Sequence, residues 1–518
     1  MAKIISISEA VDLIHDGMTV GVSGFGAFAS PDSILEGIGK KFRKQNTPKK
    51  LTIVSGVAPG DFVEDGCGMS KIKDDGIIDT LIASHLRMSP PIGRAVSENK
   101  IAAYTMPLGV YGQLMAAIGG KRPGILTHVG LYTYADPRQE GCKINDRAKE
   151  QGREIVELVK VDGKDYLFYK AFHIDACILH ASYADELGNI SLQDEPIRGE
   201  LLELAAAVHN NGGTVIVEVK NIVKAGSLDP RQVLIHKSYV DYLVKTEKED
   251  NIALAYSPSL IGDIRVPTEG SVKPLALSYK KVITRRAVME LQKGSLVNLG
   301  IGIPAGVANV ANEEGLSEQV TLSLETGIYG GVPLDGPLFG ASVNPDSITR
   351  SSDMFTTYDG GGLDMTVLGG AEIDPCGNVN VSKFSGRCVG PGGFINISQN
   401  TKRVFFTGTF TAGGLKEEVR DGRLVILQEG RSKKFRRQVE QITFSGDYAV
   451  KSGQDVTFLT ERAVLKLTPD GLMLTEIAPG VELEQDILAQ MEFRPLISPE
   501  LREMDHRIFQ AGPMGLTL

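Results

Sequence analysis

The chain has 518 residues, 23% of them charged and 42% hydrophobic, a globular mix that excludes a disordered chain and predicts about three units of roughly 150 residues. Asp and Glu outnumber Lys and Arg by 64 to 55, a formal charge of −9, and no basic block is long enough to follow a row of phosphates, so nucleic acid is not an expected partner. No apolar run approaches the roughly 18 residues of a membrane span, and MAKIISISEAVDLIHDG carries acidic residues where a secretory leader has its apolar core; the expectation is a cytoplasmic protein with no membrane partner.

From Ser8, the stretch SEAVDLIHDGMTVGVSGFG predicts a capped helix, a stop at Gly17, a strand through Val20 and Val22, and a glycine turn. The same grammar returns in KKVITRRAVMELQKGSLVNLGIGIP, where a shift of 277 carries Ala10, Val11, Gly17 and Val20 onto Ala287, Val288, Gly294 and Val297. A second echo, Asp185-Glu186-Leu187-Gly188-Asn189-Ile190 against Asp374-Pro375-Cys376-Gly377-Asn378-Val379, comes at a shift of 189, which leaves about 88 extra residues in the first half. Strands come after both echoes, at Thr214 to Val219 and at Arg403 to Phe406. Alternating helices and short apolar strands, as in ELLELAAAVHNNGGTVIVEV, argue for two related open α/β domains with mainly parallel sheets. The expected boundaries are 1–240 for the first domain, a charged and Pro-containing linker at 241–278, and 279–518 for the second. Beyond about 415 the pattern changes to strands and turns that end in a helix near EQDILAQMEF, read as a small C-terminal extension.

Five cysteines, Cys67, Cys142, Cys177, Cys376 and Cys388, are dispersed without C-x-x-C spacing and are expected as buried thiols. The eight histidines hold no H-E-x-x-H pair, and no metal site is predicted. Glycine is abundant at 59 residues, about 11% of the chain against a usual ~7%, which predicts many close backbone approaches.

Ligands of open α/β sheets lie beyond the carboxyl ends of the strands. In QVTLSLETGIYGGVPLDGPLFGAS the strand Val320 to Leu324 delivers Glu325 as the first residue off its end, with Gly327, Gly330 and Gly331 at once after it. A lone strand-end Glu is most often an exposed charge or a cap. Two further glycine turns in the same half change that balance: Gly300-Ile301-Gly302-Ile303-Pro304, placed to open a helix whose amides hold a phosphate or oxyanion, and Tyr358-Asp359-Gly360-Gly361-Gly362-Leu363-Asp364. Neither continues as a phosphate loop with GKS/T, and no G-x-G-x-x-G is present.

At these residues the sequence resembles the family I CoA-transferases, in particular the single-chain acetate/propionate type. The likeness is carried along the whole chain by GFGAFASP, DPRQEGCKIND, YADELGNI, NLGIGIP, LETGIYGGVP, FGAS, YDGGGLD, GNVNVSKF, GPGGFINIS, GTFTAGGLK, ILQEG, ITFSGDYA, LTERAVLKL and DHRIFQAGPMGL. The resemblance implies ping-pong exchange of CoA between a short-chain acyl-CoA and a carboxylic acid such as acetate, propionate or butyrate, with Glu325 passing through an acyl anhydride to a glutamyl-CoA thioester. It implies coenzyme A as substrate, no permanently bound cofactor, and a homo-oligomer, with a tetramer among the expected forms. Backbone amides of Gly361 and Gly362 are the implied oxyanion donors, and Gly300, Gly302, Lys383, Gly392 and Gly393 the implied CoA contacts. Phe25, Phe28 and Tyr329 are candidate walls of the acyl pocket, while Arg285 and Arg286, beside Lys280 and Lys281, read as a solvated helix face.

The chemistry agrees with those residue types. A free Glu, with a pKa of about 4.3, is ionised at neutral pH and attacks without a general base. One departure stands out: where the family has a P-Q-G turn this chain has Met106-Pro107-Leu108-Gly109, and Leu108 has no side-chain donor. Gln113 or the backbone amides are the substitutes. The rival readings are an acyl-CoA thioesterase, in which water resolves the intermediate, and a non-catalytic ligand-binding relative.

Overall fold

The computed structural model describes residues 2–246, 256–268 and 274–518. The chain forms two compact units, and these do not keep to chain order: the first is 1–265 with 325–356 and 385–396, the second 266–324 with 357–384 and 397–518. The boundaries therefore differ from those expected, because segments of the second half of the sequence are built into the first unit. Parts of the expected linker at 247–255 and 269–273 lie outside the described residues. The linker also starts later than predicted, since Tyr242–Lys245 is a strand paired with Lys3–Ile5 and Thr214–Val223.

The first unit is organised by eight parallel strands in the order Lys3–Ile5, Tyr242–Lys245, Thr214–Val223, Ala176–Asp185, Thr19–Val22, Leu51–Val54, Ile78–Ile82, Ala102–Tyr104. Such strands are covered on both faces, which is why they read as unbroken apolar runs; Val215, Ile216, Val217 and Val219 are all fully buried. The extra length of the first half includes a three-stranded antiparallel sheet of Gly124–Thr127, Lys164–Lys170 and Val156–Val161.

In the second unit, Thr321–Leu324, Leu296–Leu299, Met365–Gly369, Arg403–Thr407 and Asp455–Leu459 run parallel in that spatial order. Ala463–Thr468, Gly471–Ile477 and Leu496–Glu503 continue the same sheet. The region expected as a small extension is thus part of the sheet itself, and near EQDILAQMEF it forms the short helical turns Leu483–Ile487 and Leu488–Gln490.

The echoes in sequence are echoes in backbone. Gly17 and Gly294 end their helices' connections at φ +77° and +78°. Asp185 accepts from the amides of Leu187 and Asn189 and from the Asn189 side chain, and Asp374 accepts in the same way from Cys376 and Asn378. The same side-chain turn closes both strand exits.

Arg285 and Arg286 correct an expectation. Their helix, Tyr279–Val288, turns both inward, at 0% and 7% exposure. Arg285 donates to the carbonyls of Ile508 (3.1 Å) and Gln510 (2.6 Å), satisfying the chain's C-terminal turn. Arg286 pairs with Glu476 at 2.9 Å and with Glu290 at 2.8 Å. A run of basic residues on a weakly apolar helix looks solvated until its carboxylate partners arrive from the 471–477 strand. Four cysteines are buried thiols as expected, whereas Cys376 is exposed. Among the described residues no helix is long and apolar enough to cross a membrane, and no cluster of three or more ligating side chains is arranged to hold a metal.

Removing a guanidinium that serves two buried or half-buried carboxylates leaves them uncompensated. Arg286→Ala is therefore expected to lower unfolding stability by about 3–5 kcal/mol, read from chemical denaturation at neutral pH.

Candidate active site

The strand Thr321–Leu324 ends among buried residues, with Ser323 and Leu324 at 2% and 5% exposure, and the next residue is Glu325. The segment after Glu325 is held by close backbone approach. Thr326 Oγ1 donates to the Gly340 carbonyl at 2.6 Å. A Cβ on Gly327 would lie 2.3 Å from the Thr349 carbonyl oxygen, and one on Gly331 would lie 2.4 Å from that of Val343. Gly327, Gly330 and Gly331 all have positive φ, so these glycines fold the segment onto itself rather than line a mouth with free amides.

Within the first unit, a cavity opens at the carboxyl ends of the parallel strands, where open sheets of this kind bind ligands. Ser23, Gly24 and Phe25 reach it from the end of Thr19–Val22, Gly56 from the end of Leu51–Val54, and Tyr111 from the Leu108–Gly119 helix. Glu200, Leu201 and Leu204 enter from the start of the Leu201–His209 helix, and Thr326 and Ser351 close it. The centre of a water-sized sphere can move through about 20 Å³ of it. Phe25 is a wall, as expected, braced by Phe339 at a ring separation of 5.9 Å. Phe28 is buried behind it and exchanges backbone hydrogen bonds with Phe25, and Tyr329 is not part of the lining.

Glu325 is not an ordinary carboxylate. Desolvation by the surrounding protein, and after it the nearby Glu200, push its pKa up to about 7. Some of its surface remains accessible, yet the protein around it is dense enough for burial to dominate. Glu200 is likewise pushed up to about 7, chiefly by burial, with the Ser351 hydroxyl pulling down and the Glu203 charge pushing up. The expectation of a carboxylate fully ionised at neutral pH is therefore corrected: burial raises both carboxyls toward neutrality.

The other expected site residues fall in several places. Gly300 and Gly302 lie just beyond Leu296–Leu299, the strand beside the one that leads into Glu325. The Gly300 amide is taken by the Val367 carbonyl at 2.9 Å, while Gly302 is exposed at φ +87° with open space where a Cβ would stand. Lys383, in the second unit, is half-buried, and its carbonyl accepts from Asn380 Nδ2 at 2.5 Å. Gly392 and Gly393 are buried in the first unit. The Gly392 amide donates to the Ser84 carbonyl, and its own carbonyl accepts from the Leu108 amide, both at 3.0 Å.

Gly361 and Gly362 are misplaced by the sequence reading. Their amides cap the Ser351–Asp359 helix, donating to the carbonyls of Tyr358 and Thr357 at 3.0 and 2.9 Å. They also precede Met365–Gly369, so they lie at the amino edge of a parallel sheet in which Leu324 ends a strand at the carboxyl edge. They are helix-ending residues, not oxyanion donors.

Leu108 is 2% exposed and begins a helix whose first amides are committed to Gly392 and, from Gly109, to Asn396 Oδ1 at 3.1 Å. Gln113 sits on the same helix, about 140° around from Leu108, and does not take its place. Two residues were missed from the sequence. Glu200 lies 125 positions before Glu325 and carries no local motif. His85, half-buried beneath Gly392, is held neutral by the surrounding protein and the Arg87 charge at a pKa of about 4.

A strand-end carboxyl whose neighbour Thr326 lines a small cavity in an α/β chain suits acyl transfer, and comparison gives the class: the chain belongs to the family I CoA-transferases. The Coenzyme A transferase family model matches residues 4–246. The chain is 43% identical to the caffeate CoA-transferase of Acetobacterium woodii, covering 100% of this chain and 99% of that protein. It is 40% identical to the acetate CoA-transferase YdiF of Escherichia coli (strain K12), over 99% and 96% of the two chains. The crystal structure of the acyl-CoA transferase YdiF from E. coli O157:H7, a thioester complex with CoA, superposes with a TM-score of 0.93 at 39% identity, covering 100% and 98%. The protein is a CoA-transferase, exchanging CoA between acyl-CoA and carboxylates.

Because only the ionised carboxylate attacks, the rate of covalent adduct formation from acyl-CoA is expected to rise with pH through about 7, where Glu325 titrates. Rapid-quench mass measurement at limiting acyl-CoA checks this; a rate flat from pH 5 to 8 contradicts it.

Proposed function

We propose that the chain is a short-chain acyl-CoA:carboxylate CoA-transferase working through Glu325. The Glu325 carboxylate attacks the thioester carbonyl, the C–S bond breaks, and CoA leaves as a thiolate. The thiolate then attacks the Glu325 carbonyl of the mixed anhydride, the acid leaves as its carboxylate, and a glutamyl-CoA thioester remains. An incoming carboxylate reverses these steps. No proton is gained or lost overall, which fits a site where neither a His nor a Cys is presented to the cavity. The YdiF thioester complex supports the covalent reading.

The observation that carries the choice of acid is the size of the cavity. Between Phe25, Tyr111, Leu201 and Leu204 the centre of a water-sized sphere can move through only about 20 Å³, a narrow, largely apolar space that suits a short acyl chain such as that of acetate or propionate. Likeness to a caffeate CoA-transferase favours a second reading, an aromatic acid. The two readings separate in one acceptor series.

With acetyl-CoA as donor, kcat/KM is expected to be highest for acetate and propionate, lower for butyrate, and lower by at least about 100-fold for caffeate, each extra methylene-sized group costing about 1–3 kcal/mol. Caffeate equal to propionate rejects the short-chain reading. Turnover equally fast without any acceptor would identify a thioesterase. Acetyl-CoA alone is expected to leave an adduct of CoA mass on Glu325, and Glu325→Ala to lose the adduct and at least about 10³-fold in exchange.

A further inference from the structure

Glu200 is the carboxyl that lines the cavity, which Thr326, the residue after Glu325, also lines, and the exchange chemistry gives it no role. Its placement is built. It precedes the Leu201–His209 helix yet makes no side-chain cap to it, and instead it enters the cavity. Two glycines make room for it: a Cβ on Gly112 would lie 3.0 Å from Glu200 Cγ, and a Cβ on Gly56 would lie 3.3 Å from Glu200 Oε2. That same point on Gly56 is 3.3 Å from Leu108 Cδ1, so Glu200 brings a polar group to the wall where Leu108 offers none.

We propose that Glu200, as a neutral carboxylic acid, donates a hydrogen bond to the carboxylate that Glu325 releases and accepts, and so orients the acceptor acid in the cavity. This rests on the transfer reading above and deepens it. In the resting site Glu325 must be the ionised member of the pair. After thioester formation Glu325 is neutral and the negative charge sits on the departing acid, still beside Glu200. A protonated Glu200 therefore faces one anion at every stage, whereas an ionised Glu200 would repel it.

The groups around Glu200 come from several elements. Glu203, on its own helix, is the anionic partner of Arg350 at 3.1 Å and accepts from Ser352 at 2.8 Å, and its charge raises Glu200. Tyr111 from the Leu108–Gly119 helix stays a neutral phenol, Ser351 supplies a hydroxyl, and the Glu200 charge in turn raises Glu325.

The test compares Glu200→Gln and Glu200→Ala in the full-length enzyme, with acetate as acceptor and acetyl-CoA or propionyl-CoA as donor. Wild type is expected to show a bell-shaped dependence of kcat/KM for acetate on pH. Glu200→Gln, a permanently neutral donor, is expected to stay within a few-fold of wild type near pH 6 and to lose the alkaline fall. Glu200→Ala is expected to raise the KM for acetate at least tenfold. Gly112→Ala, which crowds Glu200 from a helix interior that tolerates alanine, is expected to act in the same direction. Equal acetate KM in wild type and Glu200→Ala, or a Gln variant as impaired as the Ala variant, overturns the proposal. If wild-type enzyme forms no CoA adduct on Glu325, the transfer reading itself fails; if it forms the adduct while the Glu200 variants are unaffected, only the role of Glu200 fails.

Discussion

The constraint on which the site depends is the cost of placing two carboxyl groups side by side in a medium that solvates charge poorly. In water each would ionise near 4 and ignore the other. Where the first unit closes around them, burial moves both toward neutrality. The walls that create the low dielectric are the same apolar residues that set the cavity's size, so nucleophile strength and acid size are not independent properties. Widening the cavity admits water, and water lowers both pKa values at once.

The parallel sheet supplies the geometry for this. Parallel strands all end at one edge, and here the ends of Thr19–Val22, Leu51–Val54 and the helix after Ala102–Tyr104 converge on one space. Right-handed crossovers force long connections between such strands, and the connections carry the functional residues. The turns that close the exits of the two related halves are the same, at Asp185 and Asp374, but the chain beyond them differs, and Glu200 has no counterpart fixed by the repeat. Duplication copied the frame, and the chemistry resides in the segments that did not need to match.

How much of this was legible depends on where each signal is stored. The strand into Glu325 was readable because the short alternating stretch V-T-L-S-L running into a carboxylate is a local pattern. The two sheets were readable because buried parallel strands are apolar without alternation. Gly361 and Gly362 were misread because a G-G turn looks the same before a strand as after one, while only the latter faces the ligand edge; the helix they terminate consumes their amides. Arg285 and Arg286 were misread because their acceptors, the Glu476 carboxylate and the 508–510 carbonyls, are supplied from far along the chain. The domain limits were misread because 325–356 folds with the first half of the chain, a fact of contact rather than of composition.

Glu200 was illegible for a different reason. Nothing in IRGELLEL separates it from the many acidic residues that start helices, where a carboxylate interacts with the helix dipole at the surface. Its difference lies in two absent atoms, the β-carbons of Gly56 and Gly112, which make the space its side chain occupies. A glycine in the middle of the Leu108–Gly119 helix costs about 1 kcal/mol relative to alanine. That cost has a physical return only if the volume it frees is used, and here it is filled by the Glu200 side chain, which enters the cavity. The helix glycine and the buried acid form one feature, visible only when the side chain from one helix is seen against the backbone of another.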